Sequence, residues 1–152
     1  MTALPRSQVP GPRSRLPLFS HQIRVYWEDT DAGGVVYHAQ YLAFLERARS
    51  EWLRSLGRGQ DALRREHDLV FAVRAMQVDF RAPARLDDAL QVSCVLRECR
   101  RASLVFAQEV RRDGDLLLDA TVRVAALAGS DFRPRPIPGP LLRELQALQA
   151  VE

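Results

Sequence analysis

Glu28, Asp29 and Asp31 set three carboxylates close together, and the glycine pair Gly33 and Gly34 follows at once. The apolar spacing beyond them predicts a helix that begins near Ala39 or Gln40. The first N–H groups of a helix have no internal acceptor, and the helix dipole adds partial positive charge there. A carboxylate held just ahead of such an end lies beside a ready electrophile for developing negative charge. A general base next to an oxyanion site is the minimum equipment for acyl transfer. The same residues admit plainer readings. Asp31 suits a turn cap, because Asp side chains accept local backbone N–H groups. Asp29 suits a structural acceptor within the loop. The glycines either permit positive φ or let a ligand approach the backbone closely.

A strand, a helix and a sheet must position these groups. Ile23 and Val25 alternate with Gln22 and Arg24, so a short strand is expected over 22–27. In the helix that follows, Tyr41, Leu45, Ala48, Trp52 and Leu56 form one apolar stripe, widened by Phe44 and Leu53. Glu46, Arg47, Arg49, Glu51 and Arg54 take the other side, and Gly57 is a natural stop. A short second helix is expected around 60–66. Four strands come next. Their alternating residues are Met76, Val78 and Phe80; Leu90, Val92, Cys94 and Leu96; Leu104, Phe106 and Val110; and Leu116, Leu118, Ala120, Val122 and Val124. Asp113-Gly114 signals a tight hairpin, and short links imply antiparallel pairing. Prolines at 134–140 break the pattern before a terminal helix carrying Leu141, Leu142, Leu145 and Leu148.

This is an α+β layout, with one long helix burying its stripe against an antiparallel sheet. A helix wrapped by a curled sheet satisfies it. A split βαββαβ arrangement fits less well, because the other major helix comes after all the strands.

The chain of 152 residues, 47% apolar and 27% charged, has the size and composition of one soluble globular domain. All 22 basic residues are Arg, which reads as a compositional bias, and they are scattered rather than grouped with aromatics for nucleic acid. No apolar run approaches the ~20 residues of a membrane span, and residues 1–19 lack the apolar centre of a signal peptide. Rich in Pro and Arg, residues 1–19 are expected to be a flexible arm ahead of a single domain at 20–152. Cys94 and Cys99 lack zinc-site spacing and read as reduced thiols of a cytosolic protein.

At this point the residues resemble a known family. The run YWEDTDAGGVVYHAQYLAFLERARSEWL is similar to the opening motif of the hotdog-fold acyl-CoA thioesterases. The nearest branch is the tol-pal system-associated (YbgC) type, related to 4-hydroxybenzoyl-CoA thioesterase. VRAMQVDFRAPARLDDAL, ASLVFAQEV and RPRPIP continue the resemblance in order, so it spans roughly 22 to 140. It implies a hotdog fold, homodimers or homotetramers with sites at the subunit interface, and a coenzyme A thioester substrate. It matches Asp31 to the catalytic carboxylate, and His38 to the position whose backbone N–H polarises the carbonyl. By the same resemblance Trp27, Gly34, Val36, Tyr37 and Tyr41 are expected to contact substrate. Two positions depart from the branch: Trp27 stands where Tyr is common, and Gln40 where Asn or Ser is common. Asn and Ser are good N-caps and Gln is not, so the helix start has to be held differently.

Thioester chemistry asks little of a general acid, because a thiol of pKa about 8.5 is a competent leaving group. One carboxylate beside a polarising dipole suffices, as general base or as nucleophile. No cofactor is expected. A calcium loop starting at Asp29 is excluded by Gly33 and Gln40 at its fifth and twelfth positions. Arg81, Arg85, Arg101, Arg133 and Arg135 are candidates for the coenzyme A phosphates. Two rival readings remain open to the same residues. One is an acyl-carrier-protein-binding partner, peripheral at the inner membrane, with vestigial catalysis. The other is a hotdog dehydratase using Glu46 or Glu51, whose characteristic loop is not recognisable.

Overall fold

The computed structural model describes residues 18–150. Strand β1 (Ser20–Arg24) is followed by a single 3-10 turn (Trp27–Asp29), helix α1 (Gln40–Ser55) and helix α2 (Gln60–His67). Then come β2 (Leu69–Phe80), β3 (Ala89–Ser93), β4 (Val95–Arg100), β5 (Ser103–Arg112), β6 (Asp115–Ala128) and helix α3 (Gly139–Leu148). The strands form one antiparallel sheet in the order β1-β3-β5-β6-β2, with β4 also on β5. β3 and β4 act as one long strand interrupted at Cys94, whose N–H turns aside to the Phe19 carbonyl at 3.2 Å.

Helix α1 forms where its pattern predicts. Tyr41, Phe44, Leu45, Ala48, Trp52 and Leu53 are all buried. The indole of Trp52 meets Phe106 of β5 edge-on at 5.3 Å, a preferred aromatic geometry. The helix stops at Gly57 (φ 75), where the Gly57 and Arg58 amides reach back to Arg54 and Leu53 in a Schellman closure. The β5–β6 hairpin turns on Asp113 and Gly114, both at positive φ as a two-residue turn of suitable twist requires. A long helix cradled by a curled, open antiparallel sheet is the hotdog arrangement. Helix α3 does not cross the sheet between strands but packs beside β4, so the split βαββαβ alternative falls away.

Two boundaries and one side-chain placement differ from expectation. The first strand runs over Ser20–Arg24 rather than 22–27, because Val25 leaves β1 to exchange backbone bonds with Asp87 and Asp88, and the chain then coils into the 3-10 turn. β2 begins at Leu69, well before Met76, and makes eleven pairings with β6 around a bulge between Val73 and Ala75. Arg49 faces the sheet side rather than solvent. Of the expected arm, residues 1–17 lie outside the described residues, while Phe19 packs against the core. Among the described residues no helix is long and apolar enough to cross a membrane.

Candidate active site

The carboxylate loop folds back on itself as a small antiparallel ladder. Thr30 pairs with Val36, the Asp31 N–H donates to the Val35 carbonyl at 2.9 Å, and the Tyr37 N–H donates to the Asp29 carbonyl at 2.9 Å. Asp31 therefore stands on one arm of the ladder and His38 one residue beyond the other. Gly34 makes the turn at φ 80, with its N–H on the Asp31 carbonyl at 3.0 Å. The Asp31 carboxylate is exposed, and its Oδ1 accepts the Gly33 N–H at 2.8 Å. The turn-capping and catalytic readings are thus compatible, since the cap uses one oxygen.

The start of α1 is uncapped. Ala39 holds the N-cap place and offers no side-chain acceptor. Among the described residues neither the His38 nor the Ala39 amide has a hydrogen-bond acceptor. Such amides sit at the positive end of a sixteen-residue helix.

Asp29 has a different task. It is 4% exposed; Oδ2 accepts the Tyr26 N–H at 2.8 Å, and Oδ1 accepts a bond from Gln40 Nε2 at 2.8 Å. Gln40 thus holds the helix start by gripping the loop.

The remaining expected contacts separate into two groups. Trp27 is 81% exposed, and Tyr37 is exposed beside His38 with ring centres 4.6 Å apart. Together with Gly34 they border the open side of the loop. Val36 and Tyr41 lie in the core instead. The Val36 N–H donates to the Ala84 carbonyl at 2.9 Å, and the Tyr41 hydroxyl accepts the Ala84 N–H at 2.9 Å. These two brace the site from behind, and burial pushes the Tyr41 hydroxyl above its usual range. Val35 bridges to Arg85, so the turn after β2 docks directly on the carboxylate loop. Asp88 fixes that turn. Burial opposes its charge, but bonds from Arg112 and the Arg85 amide, each 2.8 Å, hold it below the usual carboxylate range.

A second polar cluster lies under the helix. Gln108, 1% exposed, faces inward from β5 and bonds Arg49 of α1. Burial lowers the Arg49 pKa. A cavity of about 120 Å³ opens beside it, with Glu46, Trp52, Phe71, Val73 and Phe106 among its walls. The sequence carried a signal for Gln108, since it occupies the inward slot between Phe106 and Val110. Nothing in the helical pattern marked Arg49. Among the described residues no group of His, Cys, Asp and Glu could hold a metal ion.

The fold and the loop define a hotdog thioesterase, and the chain belongs to the thioesterase superfamily, whose sequence model matches residues 33–118. Within it the chain stands with the YbgC acyl-CoA thioesterases. It is 46% identical over 130 residues to the acyl-CoA thioester hydrolase YbgC of Escherichia coli O6:H1, covering 85% of this chain and 96% of that one. It is 45% identical over 120 residues to the acyl-CoA thioesterase YbgC of Haemophilus influenzae, covering 79% and 88%. Among solved structures, a probable thioesterase from Bartonella henselae superposes with a TM-score of 0.77 at 35% identity, covering 80% of this chain and all of that one.

Proposed function

We propose that this chain hydrolyses acyl-CoA thioesters to a free acid and coenzyme A, with Asp31 as the reacting carboxylate and the amides at the start of α1 as the oxyanion site. The observation that carries the reading is the pairing of an exposed Asp31 carboxylate with an uncapped helix end whose His38 and Ala39 amides have no acceptor among the described residues. The thioester oxygen takes bonds from those amides. In the base route, Asp31 removes a proton from water as its oxygen attacks the carbonyl carbon. The tetrahedral intermediate then expels the coenzyme A thiolate. In the nucleophile route, Asp31 attacks and forms an anhydride that water opens. Base catalysis contributes ~10²–10⁴-fold, and one oxyanion donor ~10²–10³-fold.

The phosphates of coenzyme A need a cation free of internal partners. Arg81 is paired with Asp119, and Arg133 with Asp131. Arg85, Arg101 and Arg135 form no ion pair among the described residues, and of these the exposed Arg85 sits on the turn bridged to the carboxylate loop. We assign it the phosphate contact. Among the described residues the outer edge of β2 has no partner strand, which supports pairing with a second copy of the chain in a homodimer or homotetramer.

The test is thiol release, followed with a thiol-reactive dye over a panel of acyl-CoA esters. Wild type turns over at least one class. Asp31→Asn keeps its fold by circular dichroism and loses ~10²–10⁴-fold in kcat. An Asp31→Asn enzyme as fast as wild type removes Asp31 from the chemistry.

A further inference from the structure

We infer that Gln40 is a positioning residue for this hydrolysis: its side-chain amide, bound to Asp29, sets the distance between the Asp31 loop and the amides of α1. The inference rests on the thioesterase reading above and adds to it a residue that touches no reacting atom.

Three contacts converge on Asp29. Its Oδ1 takes Gln40 Nε2, its Oδ2 takes the Tyr26 N–H, and its carbonyl takes the Tyr37 N–H. One buried residue is therefore fastened to the start of the 3-10 turn, to the arm leading into the helix, and to the first helical side chain. Asp31 is two residues further on. Its own ties are all to the loop itself, at Gly33, Gly34 and Val35. Among the described residues the direct hydrogen bond from this loop to a side chain of α1 is the one between Gln40 and Asp29, whereas Val36 reaches the Tyr41 hydroxyl only by way of Ala84.

The choice of Gln has a consequence for the amides. A Ser, Thr, Asp or Asn N-cap steadies a helix start by accepting an N–H from its first turn. Here the N-cap is Ala39, and the steadying bond leaves from Gln40 toward the loop, so no helix amide is consumed. The helix end is held while the His38 and Ala39 amides stay open for a ligand oxygen, the Gln40 N–H being bonded to the Tyr37 carbonyl at 2.8 Å. The span is set by the combined length of a short acid and a long amide. Altering it by one methylene moves the carboxylate relative to the amides, and misplacement of about 1 Å costs up to ~10²-fold in rate.

Steady-state kinetics on the best acyl-CoA substrate, with melting curves alongside, test this. Gln40→Ala and Gln40→Asn are expected to lower kcat ~10–100-fold with KM nearly unchanged. Asp29→Glu alone is expected to do the same. The double variant Asp29→Glu/Gln40→Asn moves one methylene across the contact, restores the span and recovers most of kcat. Gln40 variants with wild-type kcat overturn the inference, as does a double variant no faster than its slower parent. A lowered melting temperature with unchanged kcat also overturns it, leaving a purely structural tie. If Gln40→Ala does not fold, the length-swapped set decides. The thioesterase reading is judged separately by wild-type turnover and Asp31→Asn. A wild-type chain inert toward every thioester overturns both.

Discussion

Arg49 reaches from helix α1 to the concave face of β5, where its Nη1 donates to Gln108 Oε1 at 3.0 Å. The amide end of Gln108 donates in turn to the Leu45 carbonyl of α1 at 3.0 Å and the Ser93 carbonyl of β3 at 3.2 Å. One buried side chain thus ties the helix to two strands. Buried polar groups of this kind are tolerated because every atom finds a partner. Gln108→Leu removes all three bonds and strands the half-buried guanidinium. It is expected to cost about 2–4 kcal/mol, read from urea unfolding. An unchanged midpoint would show that the cluster contributes nothing to stability.

Cys94 lies against the same cluster. Burial pushes its thiol from 9.0 up to about 12, although the Arg49 guanidinium works in the opposite direction. The folded protein therefore keeps a proton that the unfolded chain gives up. Stability from this source is complete below pH about 9 and declines as pH rises toward 12. The raised Tyr41 hydroxyl adds to the decline in its upper part. Cys94→Ala should flatten the loss of denaturant midpoint between mildly and strongly alkaline buffer. The native thiol should also stay unreactive toward the dye used to detect coenzyme A, so a fast Cys94 reaction would contradict this burial.

The two glycines of the loop should fail in different ways. A Cβ at Gly33 would meet Asp31 Oδ1 at 3.2 Å, which presses on the carboxylate proposed to react. At Gly34 a Cβ meets nothing within 4 Å, but φ is 80. Gly34→Ala is expected to cost about 1–2 kcal/mol in melting experiments. Gly33→Ala is expected to spare the melting temperature and reduce kcat. Reversed outcomes would mean that Asp31 is not held where the reaction needs it.

Arg85→Ala should raise KM for acyl-CoA while leaving kcat near wild type. Against a thioester of the same acyl group that lacks the phosphates, it should behave as wild type. The KM effect should shrink with added salt, because an exposed charge contact is screened. Equal effects on both substrates would assign Arg85 to holding the turn rather than the phosphates.

Local pattern was enough for much of this. The limits of α1, its buried stripe, the Gly57 stop and the Asp113-Gly114 hairpin depend on residues close in sequence, whose periodicity and turn preference act before any tertiary contact forms. The loop with Asp31, its glycines and the adjoining helix was legible for the same reason. The early start of β2 was not, because 69–75 gains its strand character from pairing with β6 some fifty residues away. Nor was Arg49, which is charged and flanks the apolar stripe, so its burial depends on Gln108 being opposite.

The sequence by itself determined the run of strand, two helices, antiparallel strands and terminal helix, the apolar face of the long helix and the presence of a carboxylate ahead of its start. Only the tertiary structure decided that Asp29 and Gln40 clasp, that the Arg85 turn docks on Val35, and that Tyr41 braces Ala84 from the core. Local forces act along the chain and leave a period that can be read. Contacts between distant segments depend on how the sheet curls around the helix, and that curvature is a property of the whole packing.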